Sequence, residues 1–150
     1  MANTKGKAEM AITRARTVLL VGNPFYGVLS LQLELVEVPD GPMSWCPTMA
    51  VNGSHLFFSP KFTLGLSEPE IVGVVAHEIT HCAFQHMTRR GQRDPEIWNI
   101  AGDFVINSDL KKAGFTLPGS PITMKSPPGT KGYLYDPQYD GMSTEEVYER

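Results

Sequence analysis

His77-Glu78-Ile79-Thr80-His81 reads H-E-x-x-H inside an apolar, helix-forming run from Ile71 to Phe84. Residues four apart on a helix share one face, about one turn apart. Two imidazoles so placed can hold one metal ion from the same side. Glu78 sits about 100° round the helix from His77, so its carboxylate can flank the ion without ligating it. That arrangement suits a zinc-bound water: the ion lowers the pKa of the water, and the carboxylate takes its proton. The surroundings favour a helix. Ser67-Glu68-Pro69-Glu70 is a capping-box pattern with proline in the first turn. Through Phe84 no proline follows Pro69 and no glycine follows Gly73. The alternative reading is a helix with two solvated histidines and a surface glutamate.

Hydrolytic zinc sites use three protein ligands and leave one position open. His86 lies nearly opposite His77 on the same helix and cannot reach the ion. Phe84 and Met87 stand where the metzincin pattern needs glycine and histidine, which excludes that class. His55, on the preceding strand, is expected to line the cleft or stay on the surface. The segment from Ile97 to Asn107 offers a better third ligand. Asp103 lies there between Asn99 and Asn107, at i−4 and i+4, on one polar stripe of an apolar helix. A carboxylate is costly to bury unpaired. A metal would satisfy it, and the asparagines would orient the ligands from behind. Otherwise Asp103 pairs with an arginine or faces solvent.

The 150 residues suffice for one core and are few for two domains. Hydrophobic content of 41% and charged content of 19% describe an ordinary globular protein, and a formal charge of −3 exerts no general pull on nucleic acid. The basic groups Lys5, Lys7, Arg14, Arg16 and Arg89, Arg90, Arg93 read as solvated faces. No apolar run approaches the ~20 residues of a membrane span, and no signal-peptide core follows the basic N-terminus. These features lead us to expect a cytoplasmic protein. Cys46 and Cys82 have no metal-ligand spacing, and Cys82 reads as a buried free thiol.

Outward from the motif, Ala8, Ala11, Ile12, Ala15, Val18 and Leu19 recur at helical spacing within residues 5–21. Gly22-Asn23-Pro24 ends that helix, and Phe25–Ser30 forms a short second one. Leu31 to Val38 alternates as a half-buried strand, ended by Pro39-Asp40-Gly41-Pro42. Asn52-Gly53 separates Thr48–Val51 from His55–Phe58, the strongest short hairpin signal. A small antiparallel sheet is therefore expected before the motif helix. Asp94-Pro95-Glu96 starts another helix, which runs to about Lys112 and ends at Gly114. Residues 117–132 read as a long loop. Ser143 and Glu146 form a second capping box, but the chain stops at Arg150, barely two turns on. Either that short helix docks on the core, or the chain is cut from something longer.

The run Ala76-His77-Glu78-Ile79-Thr80-His81, then Gln85-His86, Arg89-Arg90, Asp94-Pro95, Trp98-Asn99-Ile100-Ala101-Gly102-Asp103 and Ile106-Asn107, resembles the metallopeptidase domain that stands N-terminal to von Willebrand factor A-like domains in bacterial proteins and their viral relatives. Gly132-Tyr133-Leu134-Tyr135-Asp136-Pro137 and Met142 to Tyr148 also fit it. The resemblance covers about residues 5–150. It implies a zincin-like fold in which two helices carry the metal ligands beside a small sheet. It also implies a gluzincin-like layout with an acidic third ligand on the second helix, which maps onto Asp103. The family's further domain, absent here, implies a partner domain or protein C-terminal to this one. One rival pattern exists. Gly129-Thr130-Lys131-Gly132-Tyr133 resembles the Gly-Thr-x-x-Tyr-Asp element of aspzincins, but Leu134 stands where that aspartate ligand should be. Asp136, two residues late, is the alternative third ligand.

The expectation is thus an α+β chain whose residues 1–150 form one zincin-like metallopeptidase domain. A small antiparallel sheet packs with the H-E-x-x-H helix and a second ligand-bearing helix. Zn2+ is held by His77, His81 and Asp103, with Glu78 as general base and Asn99 and Asn107 behind the ligands. His55, Tyr133 and Tyr135 are candidates to line the substrate or stabilise an oxyanion. By analogy with zincins, the edge strand that lays out the substrate is His55–Phe58. The expected partner is a peptide or protein substrate, with no specific nucleic acid and no membrane. Two other readings stand beside it: a zincin-fold binding module without turnover, and a zinc hydrolase of non-peptide substrates.

Overall fold

A computed structural model describes residues 6–83, 89–124, 126 and 132–150. Phe84, His86, Met87 and the Gly129-Thr130-Lys131 run, on which parts of the sequence reading rest, lie outside the described residues. The architecture is mixed α and β, with a small sheet and several helices. Helix α1 (Lys7–Gly22) buries Ala8, Ala11, Ile12, Ala15 and Leu19, the expected stripe. Val18, at the margin of that stripe, is largely exposed. Helix α2 (Pro24–Leu31) folds back on α1 so closely that a Cβ on Gly27 would meet the backbone of Leu20. Leu31 belongs to this helix rather than to the strand that its alternation suggested. Strand β1 is correspondingly shorter, Glu34–Glu37.

Asn52-Gly53 turns strand β2 (Met49–Val51) back onto strand β3 (His55–Phe58), as expected, with Gly53 at φ +96°. Asn52 Oδ1 accepts from the backbone N–H groups of Ser54 and His55 at 3.0 and 2.8 Å, so the turn satisfies itself locally. The sheet as a whole differs from the antiparallel one expected. β1 pairs parallel with β3, Leu35 opposite Leu56, and the order is β1-β3-β2. Alternation determines which side chains face the core; it does not determine a strand's neighbour or direction. β3 is therefore central and cannot be the substrate-bearing edge. Among the described residues β2 pairs only with β3, which leaves its other edge open.

Ser59 ends β3 and caps helix α3 (Pro60–Leu64), its Oγ accepting from the Phe62 N–H at 3.2 Å. Asp40, read in the sequence only as a strand terminator, braces that cap. Its carboxylate accepts from Ser59 Oγ at 2.5 Å and from the Lys61 N–H at 3.0 Å. Five helical residues are too few for periodicity to reveal.

Helix α4 (Glu68–Ala83) carries the motif. Its capping box forms as read: the Ser67 N–H donates to Glu70 Oε1 at 2.9 Å, and the Glu70 N–H to Ser67 Oγ at 3.4 Å. Ile71, Val72, Val75, Ala76 and Ile79 enter one core with Ile12, Leu19, Leu56, Phe58, Ile106 and Leu110. Burying that face turns His77, Glu78 and His81 toward β2 and helix α5 (Pro95–Lys112). Asp94 caps α5 by accepting from the N–H groups of Glu96 and Ile97, both at 3.0 Å.

Residues 117–132 are not wholly loop. Strand β4 (Ser120–Ile122) pairs parallel with β5 (Gly132–Leu134). Three residues per strand, one of them proline, give no readable alternation. Helix α6 (Thr144–Tyr148) starts with the expected capping box at Ser143. It docks: Val147 packs with Ala101, Phe104 and Val105, and Arg89 pairs with Glu145. Both cysteines are free; Cys46 is buried, whereas Cys82 is only half-buried. No helix among the described residues is long and apolar enough to cross a membrane.

Gly73 is the tightest point in the packing of α4. A Cβ there would lie 1.9 Å from the carbonyl oxygen of Thr116. Gly73→Ala is expected to cost about 1–3 kcal/mol, the usual range for overpacking. Urea unfolding should show a lowered midpoint; an unchanged midpoint would mean that residues 115–117 shift away from α4 without cost.

Candidate metal centre

The helical spacing sets His77 and His81 edge to face, their ring centroids 4.9 Å apart and their Nε2 atoms 3.2 Å apart. The crossing of α5 over α4 brings Asp103 to both. Asp103 Oδ1 lies 3.0 Å from His77 Nε2 and 3.0 Å from His81 Nε2. The two imidazoles are mostly buried, and the carboxylate is about one-third exposed. Asn107, itself buried, stands behind His77. Its Oδ1 accepts from His77 Nδ1–H at 2.7 Å, and its Nδ2 donates to the Leu134 carbonyl at 2.8 Å. Those two bonds orient the amide consistently. With the proton kept on Nδ1, a neutral His77 presents the lone pair of Nε2 to Asp103 and His81.

Burial alone would push the proton off His77. Contact with Asp103, the field of Glu78 and the bond to Asn107 outweigh it and raise the pKa of His77 to about 9. Burial likewise opposes the charge on Asp103, but the two histidines hold its carboxyl well below the usual carboxylate range. Glu78 moves the other way: burial pushes its pKa up, against the opposing effect of the two histidines.

His77, His81 and Asp103 could hold a metal ion. Two imidazole nitrogens and a carboxylate oxygen that crowd to 3.0–3.2 Å are separated much as three donors on one tetrahedral ion are. Bonds of about 2.1 Å place such donors roughly 3.4 Å apart. The donor set therefore fits an ion of that kind. Glu78 lies beside the three donors and presents no donor to their group among the described residues.

Two cavities, the wings of one open cleft, meet at the group. Thr48, Met49, His77, Glu78 and Asp103 line both. The first wing, about 530 Å3, continues past Ala50, Val51, His81, Arg90, Trp98 and Asn99. The second, about 280 Å3, continues past Phe62, Val74, Leu117, Pro118, Tyr133 and Leu134. Of the two asparagines that flank Asp103 in sequence, Asn107 bonds His77 and lines the second wing, and Asn99 lines the first.

The remaining sequence candidates are dispersed. His55 Nε2 lies 3.3 Å from Glu34 of β1, and its ring stacks on Phe57; the structure does not bring it to the group. Asp136 accepts from the backbone and side chain of Gln138, capping a 3-10 turn at Pro137–Tyr139, and is likewise elsewhere. Tyr133 lines the second wing, and its hydroxyl accepts from Lys111 Nζ at 3.1 Å. The ring of Tyr135 lies under the same ammonium, 5.0 Å from its centroid. Arg90, Trp98 and the open edge of β2 escaped the sequence reading. The hairpin signal located β2, but nothing in it showed which edge would face the motif helix.

A family model described as "Putative metallopeptidase domain" matches residues 7–150. The chain belongs to this family. No curated protein and no solved structure matches it. A metallopeptidase domain implies a metal, and in this member the His-His-Asp group of α4 and α5 is able to bind one.

Two outcomes follow from the geometry. A metal ligand must be neutral imidazole, so binding below pH 9 must expel the proton that Asp103 holds on His77. Apparent Zn2+ affinity in chelator-competition titrations should therefore rise between pH 6 and 8, about tenfold per unit for each proton released. For the metal-free protein the sign is opposite. A pKa raised above the unfolded value of about 6.5 adds stability below pH 6.5, and that stability is lost as pH climbs toward 9. Asn107→Ala removes the acceptor that sets the His77 tautomer and should weaken metal affinity by roughly 10–100-fold in the same titration. Affinity equal to wild type would show that the tautomer needs no such support.

Proposed function

We propose that the protein is a zinc-dependent metallopeptidase of zincin-like fold with a gluzincin-like ligand layout. The convergence of His77 Nε2, His81 Nε2 and Asp103 Oδ1 beside Glu78, in a cleft bordered by an open strand edge, carries this reading. The family match supports the peptidase role. His77, His81 and Asp103 would hold the ion, with Asn107 fixing the tautomer of His77. When bound, the ion would supply Lewis acidity that polarises a peptide carbonyl and acidifies water.

The protein's own groups do the rest. Glu78 takes the proton of the attacking water and passes it to the departing amine. Burial raises its pKa, which makes the carboxylate a better proton acceptor. Thr48 and the strand β2 that follows it line the first wing, Thr48 and Met49 line the second, and the edge of β2 left open among the described residues can hold an extended peptide by main-chain hydrogen bonds. β2 thus takes the role that the sequence reading gave to β3. Tyr133 is the remaining candidate to donate to the oxyanion, from the second wing. Two free thiols suit a reducing compartment, which supports a cytoplasmic site of action on peptides or unfolded proteins. A domain or protein C-terminal to this one belongs to the same proposal.

The test separates holding the metal from using it. Glu78→Gln keeps size and shape but loses the base, so one Zn2+ per chain should remain while hydrolysis of a casein and peptide panel falls by roughly 10²-fold or more. Wild-type cleavage at the same rate as Glu78→Gln would refute the base assignment. Asp103→Asn should instead lose metal; retention of full Zn2+ affinity would refute its role as ligand.

A further inference from the structure

The two wings of the cleft differ in chemistry. Apart from the residues that both share, the second is walled mainly by Phe62, Val74, Leu117, Pro118 and Leu134, with Asn107 and Tyr133 as its polar members. Lys111 reaches that wing only through the Tyr133 hydroxyl. The first wing holds Arg90, the one lysine or arginine among the described residues that lines the cleft. Its neighbours in sequence are engaged elsewhere. Arg89 pairs with Glu145 and lies over the ring of Trp98. Arg93 donates to the carbonyls of Arg89 and Arg90 and also stacks on Trp98, 5.2 Å from its centroid. Arg90 is exposed and forms no ion pair among the described residues. A guanidinium at a cleft wall, with its fork unused, matches a carboxylate better than any neutral group.

Resting on the peptidase reading above, we propose that Arg90 makes the cleft select peptides that place a carboxylate in the wing formed by Ala50, Val51 and Asn99, with an apolar side chain in the opposite wing. The carboxylate is either an Asp or Glu side chain or the free C-terminus of the substrate. Both present the same planar pair of oxygens. His77 and Asp103, which would hold the ion, line both wings, so the two side-chain preferences would fall on opposite sides of the cleaved bond. A peptide with carboxylate and apolar groups exchanged meets the apolar wall with its charge and is disfavoured by desolvation.

The deciding experiment uses the zinc-loaded Glu78→Gln protein and fluorescence anisotropy of labelled peptides on one leucine-rich scaffold. One peptide carries internal glutamates and an amidated end, one carries glutamines and an amidated end, and one carries glutamines and a free C-terminal carboxylate. At least one carboxylate peptide should bind about tenfold tighter than the neutral one. The arm that shows this identifies the source of the carboxylate. Because the ion also attracts carboxylates, dependence on Arg90 is the decisive readout. Arg90→Gln should reduce the preference several-fold, Arg90→Lys should retain part of it, and Arg90→Glu should reverse it. Thermal melting checks that the variants fold. Equal binding of all three peptides, no binding of any, or a preference that survives Arg90→Gln overturns the proposal. Cleavage by the wild-type protein is followed in parallel. Cleavage of all three peptides at equal kcat/KM sinks the role of Arg90 and leaves the peptidase reading standing. An Arg90-dependent binding preference without cleavage does the reverse.

Discussion

Oδ1 of Asp103 sits between two imidazoles that α4 presents one turn apart, 3.0 Å from the Nε2 of each. That contact, with the His77–Asn107 hydrogen bond beside it, ties α4 to α5 through polar side chains. The apolar face of α4 must be buried against α1, the sheet and the end of α5. Burial there leaves the adjacent face, with His77, Glu78 and His81, at the cleft. The cost of placing a carboxylate inside an apolar helix is offset by the two histidines, which also explains the opposite displacements of the Asp103 and His77 pKa values.

The contact is supported from behind by a chain of ordinary hydrogen bonds. His77 donates to Asn107, and Asn107 donates to the Leu134 carbonyl of β5. Asn107 is buried, and both ends of its amide are satisfied, so a polar residue in the core adds rigidity rather than strain. The two-stranded β4-β5 sheet is joined to the centre through Asn107, the packing of Leu134 beside Phe104 and the Lys111–Tyr133 hydrogen bond. It also supplies part of the wall of the smaller wing. Helix α6 docks on α5 through Val147, and the Arg89–Glu145 pair ties it to the segment before α5.

Local signals in the sequence describe much of this. The capping boxes at Ser67 and Ser143, the aspartate cap at Asp94 and the Asn52-Gly53 turn all act within four residues, and all form as read. The shortest elements are the least legible: α3 has a local cap at Ser59, braced from Asp40, but only five residues, and β4 and β5 are too brief to alternate. The spacing of His77 and His81 is a property of one helix, which is why their proximity could be anticipated. The proximity of Asp103 depends on how two helices cross. It could be anticipated only as a charge that an apolar helix would need to neutralise. His55 and Asp136 were equally plausible donors by type, yet each is engaged locally, with Glu34 and with Gln138.

By itself the sequence determined the helix carrying the motif, the face on which its histidines lie, the hairpin before it and the acidic residue that needed a partner. Those features depend on backbone geometry and on interactions within a few residues. The tertiary structure alone decided the order β1-β3-β2, and so that β2 rather than β3 borders the cleft. It alone placed Asn107 on His77, left Asn99 to line the cleft, and brought Arg90 to one wing and an apolar wall to the other. Strand order and helix crossing are settled by the packing of many weak apolar contacts, and no short stretch of sequence encodes them.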